Sequence, residues 1–198
     1  MARNITSSRW LMLMAVSLLL AACGDGSGAG MELQGADTTT GETVAVEVDG
    51  KAFVDPQGTY TITIGSDWVQ QPGAFVKEIE SWAIAEPADG FGSNVNVLTQ
   101  DAPGTSLAEY LELSLKSMGE LDVIEQRIIT GSNGNDLGMI EYEGVIPGLA
   151  DDRSLHFLAT FDVRDGVAVV ATLTTVNDAT FDALRPIVEP FLRSLQAT

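Results

Sequence analysis

Beyond residue 59, apolar and polar residues alternate with period two through most of the chain, the pattern of half-buried β-strands. Tyr60, Ile62 and Ile64 begin it and stop at Gly65-Ser66-Asp67, just before Trp68. Residues 82–85 and 95–99 continue it, and residues 44–48 and 52–54 are fainter candidates upstream. Two hairpins follow. Residues 123–130 and 137–145 flank a turn containing Asn133-Gly134, and residues 154–163 and 167–176 flank Asp165-Gly166. Asn-Gly and Asp-Gly favour tight hairpin turns because both residues tolerate positive φ. The last strand, VAVVATLTTV, is apolar on both faces at its start, as a central strand covered from both sides would be.

The period becomes helical in two places. Ser106 with Glu109 three residues on forms a capping box, in which each side chain satisfies a backbone N–H of the other residue. Leu107, Tyr110, Leu111 and Leu115 then share one face, and Gly119 ends the helix. The second helix spans about residues 178–195, with Phe181, Leu184, Val188, Phe191, Leu192 and Leu195 on its apolar face. Pro186 and Pro190 lie inside it and each removes a backbone donor, so a kink or two short helices are expected. Strands joined by hairpins, with helices laid on the sheet, make an α+β sandwich.

The first 43 residues have a different composition. Arg3 and Arg9 precede an apolar run from residue 10 to residue 20 broken only by Ser17, and the run ends in Leu20-Ala21-Ala22-Cys23. A basic start, a short apolar stretch and small residues at its end are the parts of a cleavable export signal. The run is too short for a membrane helix, which needs about 20 apolar residues. Cys23 is the only cysteine in the chain, so no internal disulfide is available to the exported domain. The arrangement resembles the lipobox of bacterial lipoproteins. That resemblance implies cleavage after residue 22 and a diacylglycerol, often joined by a further acyl chain, on Cys23. An odd cysteine in an exported protein also fits an intermolecular disulfide or a reactive thiol, and lipidation is the expectation here.

Residues 24–43, GDGSGAGMELQGADTTTGET, hold too little apolar surface to offset their ordering entropy. They read as a flexible tether, and the Gly-rich stretch lacks the preceding strand that a phosphate-cradling loop requires. The organisation is thus a signal peptide at 1–22, a lipidated cysteine with its tether at 23–43, and one domain at 44–198. Removing residues 1–22 leaves 28 acidic against 8 basic residues, a formal charge of −20. Such a chain repels nucleic acid and anionic headgroups, so the membrane link is expected to run through the lipid alone.

The strand Tyr60-Thr61-Ile62-Thr63-Ile64 followed by Asp67-Trp68, the strand Asn94-Val95-Asn96-Val97 and the helix capped at Ser106 carry a family resemblance. The strand at 167–176 and a terminal helix ending in Phe191-Leu192-Arg193-Ser194-Leu195 complete it. Over residues 53–194 the chain resembles the LpqN-type lipoproteins of actinobacteria, within the wider Mog1/PsbP-like superfamily of α-β-α sandwiches. The resemblance implies a mainly antiparallel sheet with helices on its faces. It also implies a non-enzymatic role, since that superfamily includes photosystem accessory subunits, a partner of a nuclear-transport GTPase and envelope lipoproteins linked to lipid export. It brings no catalytic residue with it.

The residues themselves supply little chemistry. His156, the only histidine, alternates onto one face with Ser154, Leu158, Thr160 and Asp162, and reads as a solvated strand residue. A Ser-His-Asp triad would have to use it, yet Gly104-Thr105-Ser106-Leu107-Ala108 lacks the second glycine of a nucleophile elbow and is explained as a helix start. One histidine and one lipidated cysteine fall short of a zinc set. Asp151 with Asp152, Asp162 with Asp165, and Glu141 with Glu143 are the best acidic groups, and none has the spacing of a calcium loop. Glu141 and Glu143, around Tyr142, suit a solvated hairpin face. Pairs of carboxylates arise by chance among 28 acids, so they do not signal a glycosidase. Trp68 and Trp82 read as packing residues before they read as a sugar or lipid platform.

The expectation is therefore a lipid-anchored protein on the extracytoplasmic face of the cell membrane. It would serve as a non-enzymatic binding or accessory module for an envelope protein or a lipid or glycolipid. No catalytic, cofactor-binding or metal-ligating set and no nucleic-acid partner are expected. The alternatives are an envelope hydrolase and a calcium-dependent binding protein.

Overall fold

The computed structural model describes residues 49–71, 79–84, 91–147, 150–176 and 178–198. The signal peptide, Cys23, the tether and the strand expected at 44–48 lie outside the described residues. The elements run β1 (Gly50–Val54), β2 (Tyr60–Gly65), β3 (Trp68–Gln70), β4 (Ile79–Ile84), β5 (Asn94–Asp101), α1 (Leu107–Ser117), β6 (Asp122–Thr130), β7 (Asp136–Val145), β8 (Ser154–Arg164), β9 (Val167–Thr175), α2 (Asp178–Arg193) and β10 (Gln196–Ala197).

Seven strands form one antiparallel sheet in the order β3-β4-β5-β9-β8-β7-β6. β9 is the middle strand, which explains its two apolar faces: Val169, Ala171 and Leu173 enter one core, Ala168 and Val170 the other. Both Gly-containing turns form as their sequences predict, with positive φ at Gly134, Asp165 and Gly166. The hairpins β6-β7 and β8-β9 then set the register of the sheet's second half, so Glu143 faces His156 and Glu141 faces Leu158 across β7 and β8.

One face of the sheet is covered by α1. Its capping box forms, with the Ser106 amide donating to Glu109 Oε2 at 2.8 Å and the Glu109 amide donating to Ser106 Oγ at 3.3 Å. Its Leu107, Tyr110, Leu111 and Leu115 pack with Ile140, Tyr142, Phe157, Ala159 and Phe161. The helix lies directly on β7 at Gly138, where a Cβ would sit 3.4 Å from both Leu107 Cδ1 and Leu111 Cδ1.

The opposite face is covered by α2 and by a second small sheet, β1-β2-β10, that the residue pattern did not separate from the main one. Tyr60, Ile62 and Ile64 of β2 join Trp82, Val95, Val97, Leu158, Leu173 and the apolar side of α2 in this core. Trp82 is buried and meets Phe53 edge-on at 4.9 Å, and Trp68 meets Phe191 at 6.4 Å, so both tryptophans are packing residues.

Instead of breaking into two short helices, α2 runs unbroken through both prolines. Pro186 and Asp182, one turn apart, are both exposed, so water reaches the carbonyl that the missing N–H leaves open. Burial of Phe181, Val188, Phe191 and Leu192 on either side of the prolines keeps the helix continuous.

The C-terminus is tied in by Asp162, whose Oδ2 accepts from the Ala197 amide at 2.8 Å and from Asn135 Nδ2 at 3.0 Å. Ser194 Oγ adds a link by accepting from the Thr63 amide at 2.7 Å. Asp162 is therefore a buried anchor of β10 and not part of an acidic group with Asp165, which occupies the β8-β9 turn.

Candidate functional site

The first turns of α2 lie over the ends of β7 and β8, and there the apolar core gives way to charge. Asp178, Phe181, Arg185, Glu189 and Arg193 are spaced three or four residues apart, so they form one stripe along the helix. β8 contributes His156, β7 contributes Glu141 and Glu143, and β6 contributes Glu125 and Arg127.

His156 is buried, contrary to the solvated position its strand pattern suggested. The Phe181 ring lies parallel to the imidazole, 3.6 Å between centroids and 6° between planes, and shuts out water. Nε2 is 3.1 Å from Glu141 Oε1, and Nδ1 is 3.2 Å from Asp178 Oδ1. Ionised carboxylates only accept hydrogen bonds, so a ring carrying both protons donates on both sides.

Glu141 is buried as well, which corrects the expectation of a solvated hairpin face. Its second oxygen accepts from Arg185 Nη1 at 2.7 Å. A buried carboxylate is tolerable only with such donors around it. Glu143 is half-buried, and its side chain has no hydrogen-bond or ion-pair partner among the described residues.

The network extends beyond Glu141. Arg185 Nε lies 3.4 Å from Glu189 Oε2 and Arg185 Nη2 lies 3.6 Å from Glu125 Oε2. Burial alone would lower the Arg185 pKa; Glu141, Glu189 and Glu125 reverse that and hold the guanidinium firmly charged. Arg193 donates to Glu189 Oε1 through Nε at 3.0 Å and Nη2 at 2.7 Å. Burial pushes the Glu189 carboxyl up, but its contacts with Arg193 and Arg185 outweigh burial and leave it below the ordinary carboxylate range. Arg185 also stands over the Phe181 ring, 5.8 Å from its centroid.

The other acidic candidates do not gather here. Asp151 and Asp152 sit in a short 3₁₀ turn with Ala150, all three at positive φ. Ser106 is the cap of α1, on the other side of the sheet, and His156 meets carboxylates at both nitrogens, so no triad assembles from the candidate residues. Strand periodicity placed His156 and Glu141 on their correct face. It could not show that a helix 22 or more residues downstream covers that face. The signal was present in the i, i+4 stripe of α2, read only for its apolar positions.

A scan against protein-family profiles finds no match, and no curated protein sequence matches the chain. Solved structures do. Cyanobacterial PsbP (CyanoP) from Synechocystis is similar at a TM-score of 0.51 and 15% identity, covering 80% of this chain and 99% of CyanoP. LpqN of Mycobacterium tuberculosis, a protein involved in cell envelope biogenesis, is similar at 0.52 and 11%, covering 75% of this chain and 90% of LpqN. The Ran-binding protein Mog1p of Saccharomyces cerevisiae is similar at 0.51 and 8%, covering 76% of this chain and 96% of Mog1p. At such identities the likeness is one of fold, and the fold is the Mog1/PsbP-like α+β sandwich.

Proposed function

We propose that the protein is a cell-envelope lipoprotein, anchored to the extracytoplasmic face of the membrane by a lipid on Cys23. Its Mog1/PsbP-like domain serves as a non-enzymatic binding or accessory module for a partner protein or an envelope lipid. The observation that carries this reading is the lone cysteine placed directly after a basic and apolar leader and before a Gly-rich tether. Fold neighbours add support: LpqN is involved in cell envelope biogenesis, and Mog1p binds Ran. No helix among the described residues is long and apolar enough to cross a membrane, and in this reading the lipid is the anchor.

The tether gives the domain a reach of some tens of Å, by flexible-chain scaling of roughly 5 Å times the square root of its length. With 28 acidic residues in the chain, partners bearing exposed Lys or Arg are favoured, and their association weakens with salt. Mass spectrometry of the membrane-extracted protein tests the anchor: loss of residues 1–22 and an acylated Cys23 are expected, whereas an intact Met1 terminus in the mature protein refutes it. In vivo crosslinking followed by identification of proteins and lipids tests the binding role. Recovery of neither class above a Cys23→Ser control would refute that role.

A further inference from the structure

We infer that Glu143, His156 and Asp178 form a binding site for a divalent transition-metal ion of the zinc type. Glu143 and His156 are directly opposed across β7 and β8, so their side chains leave the sheet on the same face. Asp178, the first residue of α2, is brought over them by the helix packing. One ligand atom from each lies within 4.8 Å of the other two, so small side-chain rotations bring all three onto a single ion at the usual zinc–ligand distance of about 2.0–2.2 Å.

The surroundings favour a metal over a bare acidic cluster. Metal-bound imidazoles characteristically donate a hydrogen bond from their second ring N–H to a carboxylate, which fixes the ring and strengthens the ligand. Here Nε2 meets buried Glu141, itself held by Arg185, and Phe181 stacks on the ring, leaving Nδ1 on the Asp178 side as the ligand nitrogen. Arg185 offsets the charge of Glu141, but Glu143 has no cationic partner among the described residues and Asp178 has only His156. A dication compensates both.

The donor set selects the ion. Calcium and magnesium take hard oxygen ligands, whereas an imidazole with two carboxylates suits zinc and its neighbours. Three protein ligands leave a fourth position of a tetrahedral ion open to water or to a group on a partner. Asp178 is 80% exposed at its side chain, so the open position would face solvent. The site stands independently of lipidation at Cys23 and of the identity of any partner.

The full chain in detergent is titrated with Zn²⁺ by equilibrium dialysis, and with Co²⁺ while the imidazole resonances of His156 are followed by NMR. The protein has one histidine, so those signals need no further assignment. Stoichiometric binding, loss of the His156 signals at one Co²⁺ per chain, and at least a ten-fold weaker affinity in both Asp178→Asn and Glu143→Gln are expected. Both substitutions are near-isosteric and lie outside the fully buried core, so the fold survives them. Unchanged affinity in either variant, undisturbed His156 resonances, or displacement of Zn²⁺ by equimolar Ca²⁺ would overturn the assignment.

Discussion

The two faces of the central sheet are covered by helices of 11 and 16 residues and of opposite chemistry. Under α1 the packing is apolar from side to side: Tyr110, Leu111 and Leu115 meet Tyr142, Phe157 and Phe161, with Tyr142 and Phe157 stacked at 4.6 Å. Under α2 an equally apolar centre, built on Phe181, Val188, Phe191 and Leu192, borders a margin of nine charged or ionisable groups from three strands and the helix. Apolar packing stabilises without fixing any one register very sharply. A buried ionic margin contributes little net stability, since desolvation offsets most of the attraction, but it penalises any arrangement that leaves one charge unpaired. The α1 face is thus the stabilising face, and the α2 margin is where position is specified and where ligand chemistry can sit.

The sharpest way to break this contrast is to cut into both faces and compare. Phe161→Ala under α1 should destabilise by about 3–5 kcal/mol, through lost burial and the cavity left beside Tyr110, with no dependence on salt. Chemical denaturation at low and high ionic strength would read this directly. Arg185→Ala on the other face leaves Glu141 with His156 as its sole hydrogen-bond partner. A buried pair broken on one side costs about 3–5 kcal/mol. Arg185 keeps 30% of its side-chain surface in solvent, so about 2–3 kcal/mol is expected after screening. Adding Glu141→Gln to Arg185→Ala should recover part of that loss, because the stranded charge is gone. A double mutant as unstable as the sum of its single changes would show that the margin has no internal coupling.

The same contrast explains what the residues disclosed in advance. The α1 side was legible because its information is local: Ser106 and Glu109 cap a helix within four residues, and Phe157 and Phe161 alternate within one strand. The hairpins were legible for the same reason, through Asn133-Gly134 and Asp165-Gly166. The α2 side depends on contacts far apart in the chain. Glu141 and Arg185 are 44 positions apart, and β10 reaches β2 across more than 130, as Ser194 does in bonding the Thr63 amide. No spacing rule links residues over such intervals, so His156 and Glu141 read as solvated, β10 went unseen and the small sheet was merged with the large one. The two short helices that Pro186 and Pro190 suggested are absent for a related reason, since local propensity opposes a continuous helix that long-range burial enforces.

The smallest expected effect isolates one member of the margin by pH. Glu189 is held below its ordinary carboxylate range by Arg193 and Arg185, despite burial that acts in the opposite direction. A carboxyl whose pKa is lower folded than unfolded adds stability that is complete above the unfolded value, near 4.5, and fades as pH falls through the folded value. Glu189→Gln should therefore be less stable than the parent at neutral pH, and the gap should narrow steadily below about pH 4.5. Other carboxylates titrate in the same window in both proteins, so the readable quantity is the difference between their denaturation curves and not either curve alone. A gap that stays constant from pH 7 to pH 3 would mean that Glu189 acts by packing rather than by charge. Charge in the α2 margin would then act chiefly where Arg185 meets Glu141 and Glu125.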